Sequence, residues 1–586
     1  MELYHFAQSN SIQNKRKITF ALSPIDFTEL KEYNVIGKIL LVIFERMTIM
    51  KRFKSAVALL VVVAIIILSA AVPVMAASKV DPSQGAMQQL QAVFYQFVDK
   101  LIYAFGKAIN TFTPGLPMTK FSDYVTPDTF YGGEDTFETQ VSPDAVWSAG
   151  YAYGSLLEGL DVLNKSYLMA GSLQTFQGQS PTEILDDQGV SVYAVSDGVS
   201  GTVVQAVIDG FGFARGDVLK IRQRLATFAK ENNIISINIS VLHQHSLIDT
   251  LGMGAPIVPA IILNPGMSAV GADRDSFIGG KNDKFMDNLY EVVTETVISA
   301  VNDMQQGTLY YGSTDVSDLM YDKRKPIAFD GEIHRFRFDP ADENENEIWL
   351  CEAGIHCTGF SGSATEISSD FPYYFKEYVK ETTGADVVYV QGAEVAITTE
   401  RDGIHYENIA KNSKVKAYGI ELAKRTMAID NEIALDPVLN IKVNEVAVTA
   451  DNQILILAVR LGLVDSVAVK EGSDFMIVTE LGYMELGNKI GVVMAPGEIA
   501  PEILWGGATT KEESWINESW DYDTLENISK ADKLICFGLC NDQAGYILPD
   551  NDIRAMLTEN EEINVSSTKA GSVLTEAFIA LIDQVK

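Results

Sequence analysis

In the run Ile235-Ser236-Ile237-Asn238-Ile239-Ser240-Val241-Leu242-His243-Gln244-His245-Ser246, strand alternation puts Ile235, Ile237, Ile239, Val241, His243 and His245 on one face. Four aliphatic residues predict that this face is buried. The two imidazoles that continue it must find partners, because an unpaired buried polar group costs about 1–3 kcal/mol. A metal ion satisfies both; ordinary hydrogen bonds within a core do so equally well, and the motif alone leaves the two readings open. The chain has only 6 histidines. His5 lies in an amino-terminal leader, while His334 and His405 sit among charged residues, which suits surface or structural positions. His356 differs from these. It follows the apolar Ile348-Trp349-Leu350 and opens the small-residue loop Cys357-Thr358-Gly359-Phe360-Ser361-Gly362-Ser363, at the kind of strand end where α/β sheets carry chemistry.

These residues need strands to carry them and helices to cover the strands, and the surrounding sequence supplies both. Val192 to Val195, the turn Ser196-Asp197-Gly198, and Thr202 to Ile208 predict a hairpin of core strands. Asp217 to Lys230 predicts a helix with Val218, Ile221 and Leu225 on one face, leading into a strand over Ile234 to Val241. Phe285 to Met304 is the clearest helix, with Leu289, Val292, Val293, Val297, Ala300 and Val301 at helical spacing. Strands alternating with helices indicate an α/β fold, expected as one large catalytic domain of mixed sheets flanked by helices over residues 147–586. Residues 78–146 read as a helical leader, Met87 through Ile109, followed by a turn-rich linker containing Pro114, Pro117, Pro127, Gly132 and Gly133.

Composition narrows the classes. With 47% hydrophobic and 21% charged residues the chain suits a folded globular protein. A formal charge of -33 disfavours phosphate backbones, so nucleic acid is not an expected partner. Four cysteines are too few for a disulfide scaffold, and the spacing of Cys351 with Cys357 and of Cys536 with Cys540 lacks the paired pattern of structural zinc. Two readings of them stand: near-neighbour cross-links in an oxidising compartment, or buried small hydrophobes. Met50-Lys51-Arg52-Phe53-Lys54, the apolar run from Ser55 to Ala71 and Val74-Met75-Ala76 form a secretory signal peptide over residues 50–77. The competing reading is an uncleaved anchor through residues 55–71, which would associate the protein with a membrane. Both place the remainder outside the cytoplasm. Residues 1–49 read as a spurious extension ahead of a true start at Met50. No lipid-attachment cysteine follows the run, since the first cysteine is Cys351.

Several motifs, taken in order, resemble the neutral or alkaline ceramidases, and the resemblance runs from about Trp147 to the end. Ala149-Gly150-Tyr151 looks like the family's opening strand, and Val192 to Ile208 like the strand pair bearing its first aspartate turn. His243-Gln244-His245-Ser246 is similar to the His-Thr-His-Ser that supplies the first zinc ligand. His356-Cys357-Thr358 with Ile367-Ser368-Ser369-Asp370-Phe371-Pro372 resembles the second histidine loop and its continuation. Ala495-Pro496-Gly497-Glu498 resembles the Pro-Gly-Glu that gives a carboxylate ligand, and Asn541 through Pro549 the closing tyrosine motif. The resemblance implies a Zn2+ ion held by His243, His356, Glu498 and Tyr546, with His245 and Tyr546 as catalytic groups and Arg324 as a substrate contact. It implies an exported amidohydrolase that cleaves an N-acyl lipid amide such as ceramide.

Two departures stand out. Over the family's Gly-Asp-Val-Ser-Pro-like loop, whose serine sits against the scissile amide, this chain has Gly392-Ala393-Glu394-Val395-Ala396-Ile397, so Ala396 takes the serine place and Ile397 the proline place. Thr398 restores a hydroxyl only if the loop is displaced. In the closing motif Gln543 takes the place of the earlier of two tyrosines. The loop change motivates two other expectations: a lipid- or surface-ligand-binding protein with the same pocket, or a zinc hydrolase for a different amide or ester. The compact form leaves no room for the carboxy-terminal immunoglobulin-like domain of the larger ceramidases.

Overall fold

The computed structural model describes residues 98–586 apart from 101, 105, 112–114, 172–178, 255–262, 265–277, 361–363, 406–411 and 555–560. The leader expectations for residues 1–49 and 50–77, and the anchor over 55–71, lie outside the described residues. No described helix is long and apolar enough to cross a membrane.

The chain runs through β1 (Ser148–Ser155), β2 (Gly189–Ser196), β3 (Thr202–Ile208), α1 (Arg215–Glu231), β4 (Ile234–Val241), α2 (Asp283–Asn302), β5 (Gln305–Asp315), β6 (Met320–Asp322), β7 (Glu332–Pro340) and β8 (Ile348–Ala353). It continues through α3 (Asp370–Thr383), β9 (Asp386–Gln391), β10 (Ile397–Thr399), α4 (Ser413–Met427), β11 (Leu439–Ala450), β12 (Ala468–Glu471), β13 (Asp474–Leu486), β14 (Ile490–Met494), β15 (Glu498–Ile499), α5 (Pro501–Trp505), β16 (Lys533–Phe537), β17 (Tyr546–Ile547) and α6 (Ala570–Val585). Among the described residues a 9-stranded sheet has the order β9-β8-β7-β5-β1-β2-β3-β4, with Ile433–Ala434 added to β5. A 6-stranded sheet is built on β13, which pairs with β11, β12 and β14; β16 extends it from β14 and Thr119–Lys120 from β12. Both sheets mix parallel and antiparallel pairs, so the α/β expectation holds.

Alternation explains the layers. In β2, Val190, Val192 and Ala194 pack with Val218, Ile221 and Leu225 of α1 and with Leu289, Val293 and Val297 of α2. Tyr193 and Val195, pointing the other way, join a second core with Ile441 and Val443 of β11, Val492 of β14 and Phe537 of β16. The expected hairpin forms from β2 and β3. Its turn is fixed by Asp197, which accepts from the Val199 and Ser200 N–H groups at 2.9 and 2.8 Å. On the far side of the second sheet, Leu574, Phe578 and Leu581 of α6 cover Leu481, Tyr483 and Cys536.

The structure bears on three sequence expectations. The stretch read as a linker packs on this body: Phe137 is buried and stacks on Tyr483 at 5.9 Å, and the Tyr124 hydroxyl bonds to Glu445 at 2.7 Å. The described residues among 98–111 are helical, in line with the last part of the expected Met87–Ile109 helix. All four cysteines are buried free thiols, so neither cross-link forms. Burial pushes Cys351 and Cys540 up to about 12. Finally, the histidine strand ends at Val241, and His243 adopts a left-handed backbone with φ 55°. The two histidines therefore do not continue the alternation of Ile235 to Val241.

Candidate metal centre

His243 leaves the end of β4 on a turn held from both sides. The neighbouring Gln244 side chain donates to Asp209 Oδ1 at 3.0 Å and to the Ser369 carbonyl at 2.9 Å, and accepts from the Gly210 N–H at 2.9 Å. The Ser246 carbonyl accepts the Ser368 N–H at 2.9 Å, so the Ile367–Pro372 motif braces the His243 turn. With the backbone fixed, His243 Nδ1 donates to the Phe211 carbonyl at 2.7 Å. That bond sets the tautomer and leaves Nε2 facing Glu498 Oε1 at 3.5 Å.

His356 is held in the same manner from the opposite side. Its backbone N–H donates to the Ile397 carbonyl at 2.9 Å, and its Nδ1 donates to the Glu394 carbonyl at 2.9 Å. Its Nε2 lies 3.0 Å from Glu498 Oε2 and 3.5 Å from the Tyr546 hydroxyl. Glu498 and Tyr546 are partners in the short parallel ladder of β15 and β17. Gly497 permits this pairing because a Cβ there would strike the Gly545 carbonyl. Gln543 donates to Glu498 Oε1 at 3.2 Å. The closing motif reaches the site by docking on β4: Asn541 N–H donates to Ile239 O at 2.7 Å, and Asn541 Oδ1 accepts from Ile239 N–H at 2.9 Å.

Charge and burial are strongly set. Burial would raise the Glu498 carboxyl, but His243 and His356 outweigh it and hold it down at about 2. Burial would lower His356, yet Glu394 and Glu498 push it up to about 9. Burial lowers His243, with Glu498 opposing, and drives His245 well down. Burial, followed by the Glu498 charge, raises the Tyr546 phenol well above its ordinary value. A pocket with one ionised carboxylate and converging imidazole nitrogens is suited to a divalent cation.

The structure brings together His243, His245, His356, Glu498 and Tyr546. Ligand atoms of His243, His245 and His356 lie within 4.8 Å of one another, as do those of His243, His356, Glu394 and Glu498. His245 is partly exposed, with its ring 4.8 Å from that of His243 and edge-on to it, and its Nε2 has no hydrogen-bond partner. Arg324 is placed differently from the expected substrate contact. Its guanidinium is buried and donates to Asp552 at 2.9 Å and to Glu562 at 2.8 Å, so carboxylates occupy its donors. Ala396 turns inward with φ 63° and is 1% exposed, and its carbonyl accepts the Lys323 N–H at 3.1 Å. Thr398 lies in β10, where it forms a bridge with His356. His334 is a buried structural residue between Tyr311 OH, at 2.8 Å, and Asp330, at 2.5 Å.

Sequence reasoning laid Glu394 over the aspartate of the family's loop and gave it no role of its own. The signal was the one acidic residue in the mostly apolar run from Val387 to Ile397. It also passed over Arg215 and Arg222, which are fully buried and share Glu480 at 2.8 Å each. The Arg215 N–H donates to Asp542 Oδ1 at 2.9 Å, which ties that ionic core to the closing motif.

No protein-family model matches the sequence, and no curated protein matches it. Solved structures do. A neutral ceramidase from Pseudomonas aeruginosa superposes with a TM-score of 0.56 at 14% identity, covering 75% of each chain. A ceramidase complexed with C2 superposes with a TM-score of 0.55 at 12% identity, again covering 75% of each chain. The likeness spans three quarters of both partners at identities where sequence comparison is silent, and by it this chain has the neutral ceramidase fold.

Proposed function

We propose that this protein is an exported zinc-dependent amidohydrolase of the neutral ceramidase type, which cleaves an N-acyl lipid amide such as ceramide into a fatty acid and an amine. The observation that carries the reading is the convergence of His243 and His356 on the two oxygens of Glu498, at 3.5 and 3.0 Å. Both imidazoles spend Nδ1 on a backbone carbonyl, which leaves Nε2 of each for a cation. Two imidazoles and a carboxylate match the three-ligand sets of catalytic zinc, with Tyr546 as the fourth candidate. When bound in such a set, zinc lowers the pKa of water to about 7 and polarises a carbonyl. In the proposed reaction water adds to the amide carbonyl carbon and the C–N bond breaks. His245, unpartnered at Nε2, takes the proton from water and delivers it to the leaving nitrogen. The Tyr546 hydroxyl donates to the developing oxyanion. The basic and apolar segment over residues 50–77 supports export, and an uncleaved run over 55–71 would hold the enzyme at the membrane that contains its lipid substrate.

Ala396 favours a second reading, a catalytically impaired relative that binds a lipid or surface ligand, because no hydroxyl stands at that place. One experiment separates the two. Protein lacking residues 1–77 is assayed for metal and then against N-acyl sphingosines, N-acyl amino acids and simple esters. The enzyme reading expects about one zinc per chain and turnover that His243→Ala and Glu498→Ala abolish. Bound zinc without turnover of any substrate supports the binding protein, and absence of stoichiometric metal sinks both.

A further inference from the structure

The buried carboxylate of Glu394 has no role in the reading above. It is 0% exposed, and among the described residues neither of its oxygens has a hydrogen-bond partner. Among the described residues its only ion-pair contact is His356 Nδ1, 3.6 Å from Oε2, and that nitrogen already donates to the carbonyl of Glu394 itself. A buried carboxylate without a partner is strongly unfavourable in its ionised form, and a cation placed beside it supplies the missing counter-charge. The turn that follows aims it inward: the Ile397 N–H donates to the Glu394 carbonyl at 2.9 Å, and Ala396 takes φ 63°.

We propose that Glu394 is a further ligand of the cation held by His243, His356 and Glu498. One of its oxygens lies within 4.8 Å of a ring nitrogen of each histidine and of an oxygen of Glu498. Metal–ligand bonds of about 2.0–2.2 Å place ligand atoms roughly 3–3.6 Å apart, so a small inward movement brings a Glu394 oxygen to the cation at the fourth place otherwise open to Tyr546, and a fifth position, which catalytic zinc can adopt, is left for water. Two carboxylates and two neutral imidazoles neutralise a divalent cation. Glu394 also orients the His356 ring through its carbonyl, so one residue sets both a ligand and that ligand's direction. The same turn that lacks a hydroxyl at Ala396 thus delivers a charge to the metal.

The inference rests on the metal-centre reading and is tested beside it by titrating Zn2+ into the metal-free chain and its variants. Wild type is expected to bind one equivalent; if it binds none, the metal-centre reading and this inference fail together. Glu394→Gln is expected to bind Zn2+ at least ~10-fold more weakly, while melting in chelator at the wild-type temperature or above it. A purely structural Glu394 would instead lower the melting temperature in chelator. Zinc affinity equal to wild type overturns the proposal even where the metal-centre reading survives. Should Glu394→Gln not fold, Glu394→Asp keeps the charge but withdraws it by one methylene. It is expected to bind Zn2+ more weakly while melting normally in chelator, and equal affinity there overturns the proposal too.

Discussion

Glu498 and Tyr546 are register partners across a parallel ladder only two residues long, with Ile499 opposite Ile547 behind them. The ladder sets the carboxylate beside the phenol, and the Asn541 contact with β4 sets both beside His243. The site is therefore a product of strand pairing between segments far apart in the chain.

Gly497→Val tests that dependence. The added side chain meets the Gly545 carbonyl, so β15 and β17 must part. Overpacking of this kind costs about 1–3 kcal/mol. The variant is expected to fold with a lowered melting temperature and to lose stoichiometric zinc. Full zinc content would show that the ladder does not set the ligand geometry.

Metal binding is expected to depend on pH through His356. Glu394 and Glu498 push its imidazolium up to about 9, so near neutrality a cation arriving at Nε2 must displace a proton. Zn2+ affinity then falls as pH falls, by about tenfold per pH unit for one released proton. Calorimetric titration in two buffers of different ionisation enthalpy, at pH values near neutrality, counts that proton. A count of zero removes the argument.

Ala396→Ser returns a hydroxyl to the turn beside the cluster. If the lost donor limits the wild type, the variant gains turnover of N-acyl sphingosine by about 100- to 1,000-fold, the scale of one oxyanion-stabilising donor. The readout is kcat with zinc content unchanged. No gain in kcat indicates that the turn no longer approaches the scissile amide.

The ionic core behind the closing motif is expected to dominate stability. Arg215 and Arg222 are fully buried and both lean on Glu480. Removing that partner leaves Arg222, among the described residues, with only the Ile237 carbonyl and Arg215 with Glu445 as its remaining carboxylate, and breaking a buried pair costs about 3–5 kcal/mol. Glu480→Ala should lower the unfolding free energy in urea by that amount or prevent folding, whereas a change near zero would mean that the arginines find other acceptors.

Glu502, buried in α5, gives a stability signature in pH. Burial raises its carboxyl from 4.5 to about 8, so the native state holds its proton more tightly than the unfolded chain. Its stabilising contribution is full below about 4.5 and is lost as pH rises through 8. Glu502→Gln should therefore match the wild type in urea under acidic conditions, near 4.5, and exceed it above 8. A tenfold difference in proton affinity between the folded and unfolded chain is worth about 1.4 kcal/mol, which places the gain at a few kcal/mol at most. A constant difference between variant and wild type at both pH values would contradict the assignment.

The sequence by itself determined the local elements and the cast of the site. Periods of two and of 3.6 placed the β2–β3 hairpin, α1, β4 and α2 within a few residues, because those patterns express which side chains must be buried. The rarity of histidine drew attention to His243 and His356, while Glu498 and Tyr546 came only with the resemblance of their motifs to the ceramidases. What only the tertiary structure decided was the relation between distant segments. Alternation carried His245 onto the face of β4, but the left-handed turn at His243 ends the strand first, and a turn held by Gln244 is not visible in hydrophobic pattern. Arg324 sits among charged neighbours in sequence, and only the fold reveals that Asp552 and Glu562 close over its guanidinium. Glu394 reads as an isolated acid in a mostly apolar run until packing leaves it, among the described residues, only the histidine beside it. Periodicity reports burial along one segment; which polar groups meet inside is fixed by pairings that close loops of hundreds of residues, and no local pattern encodes them.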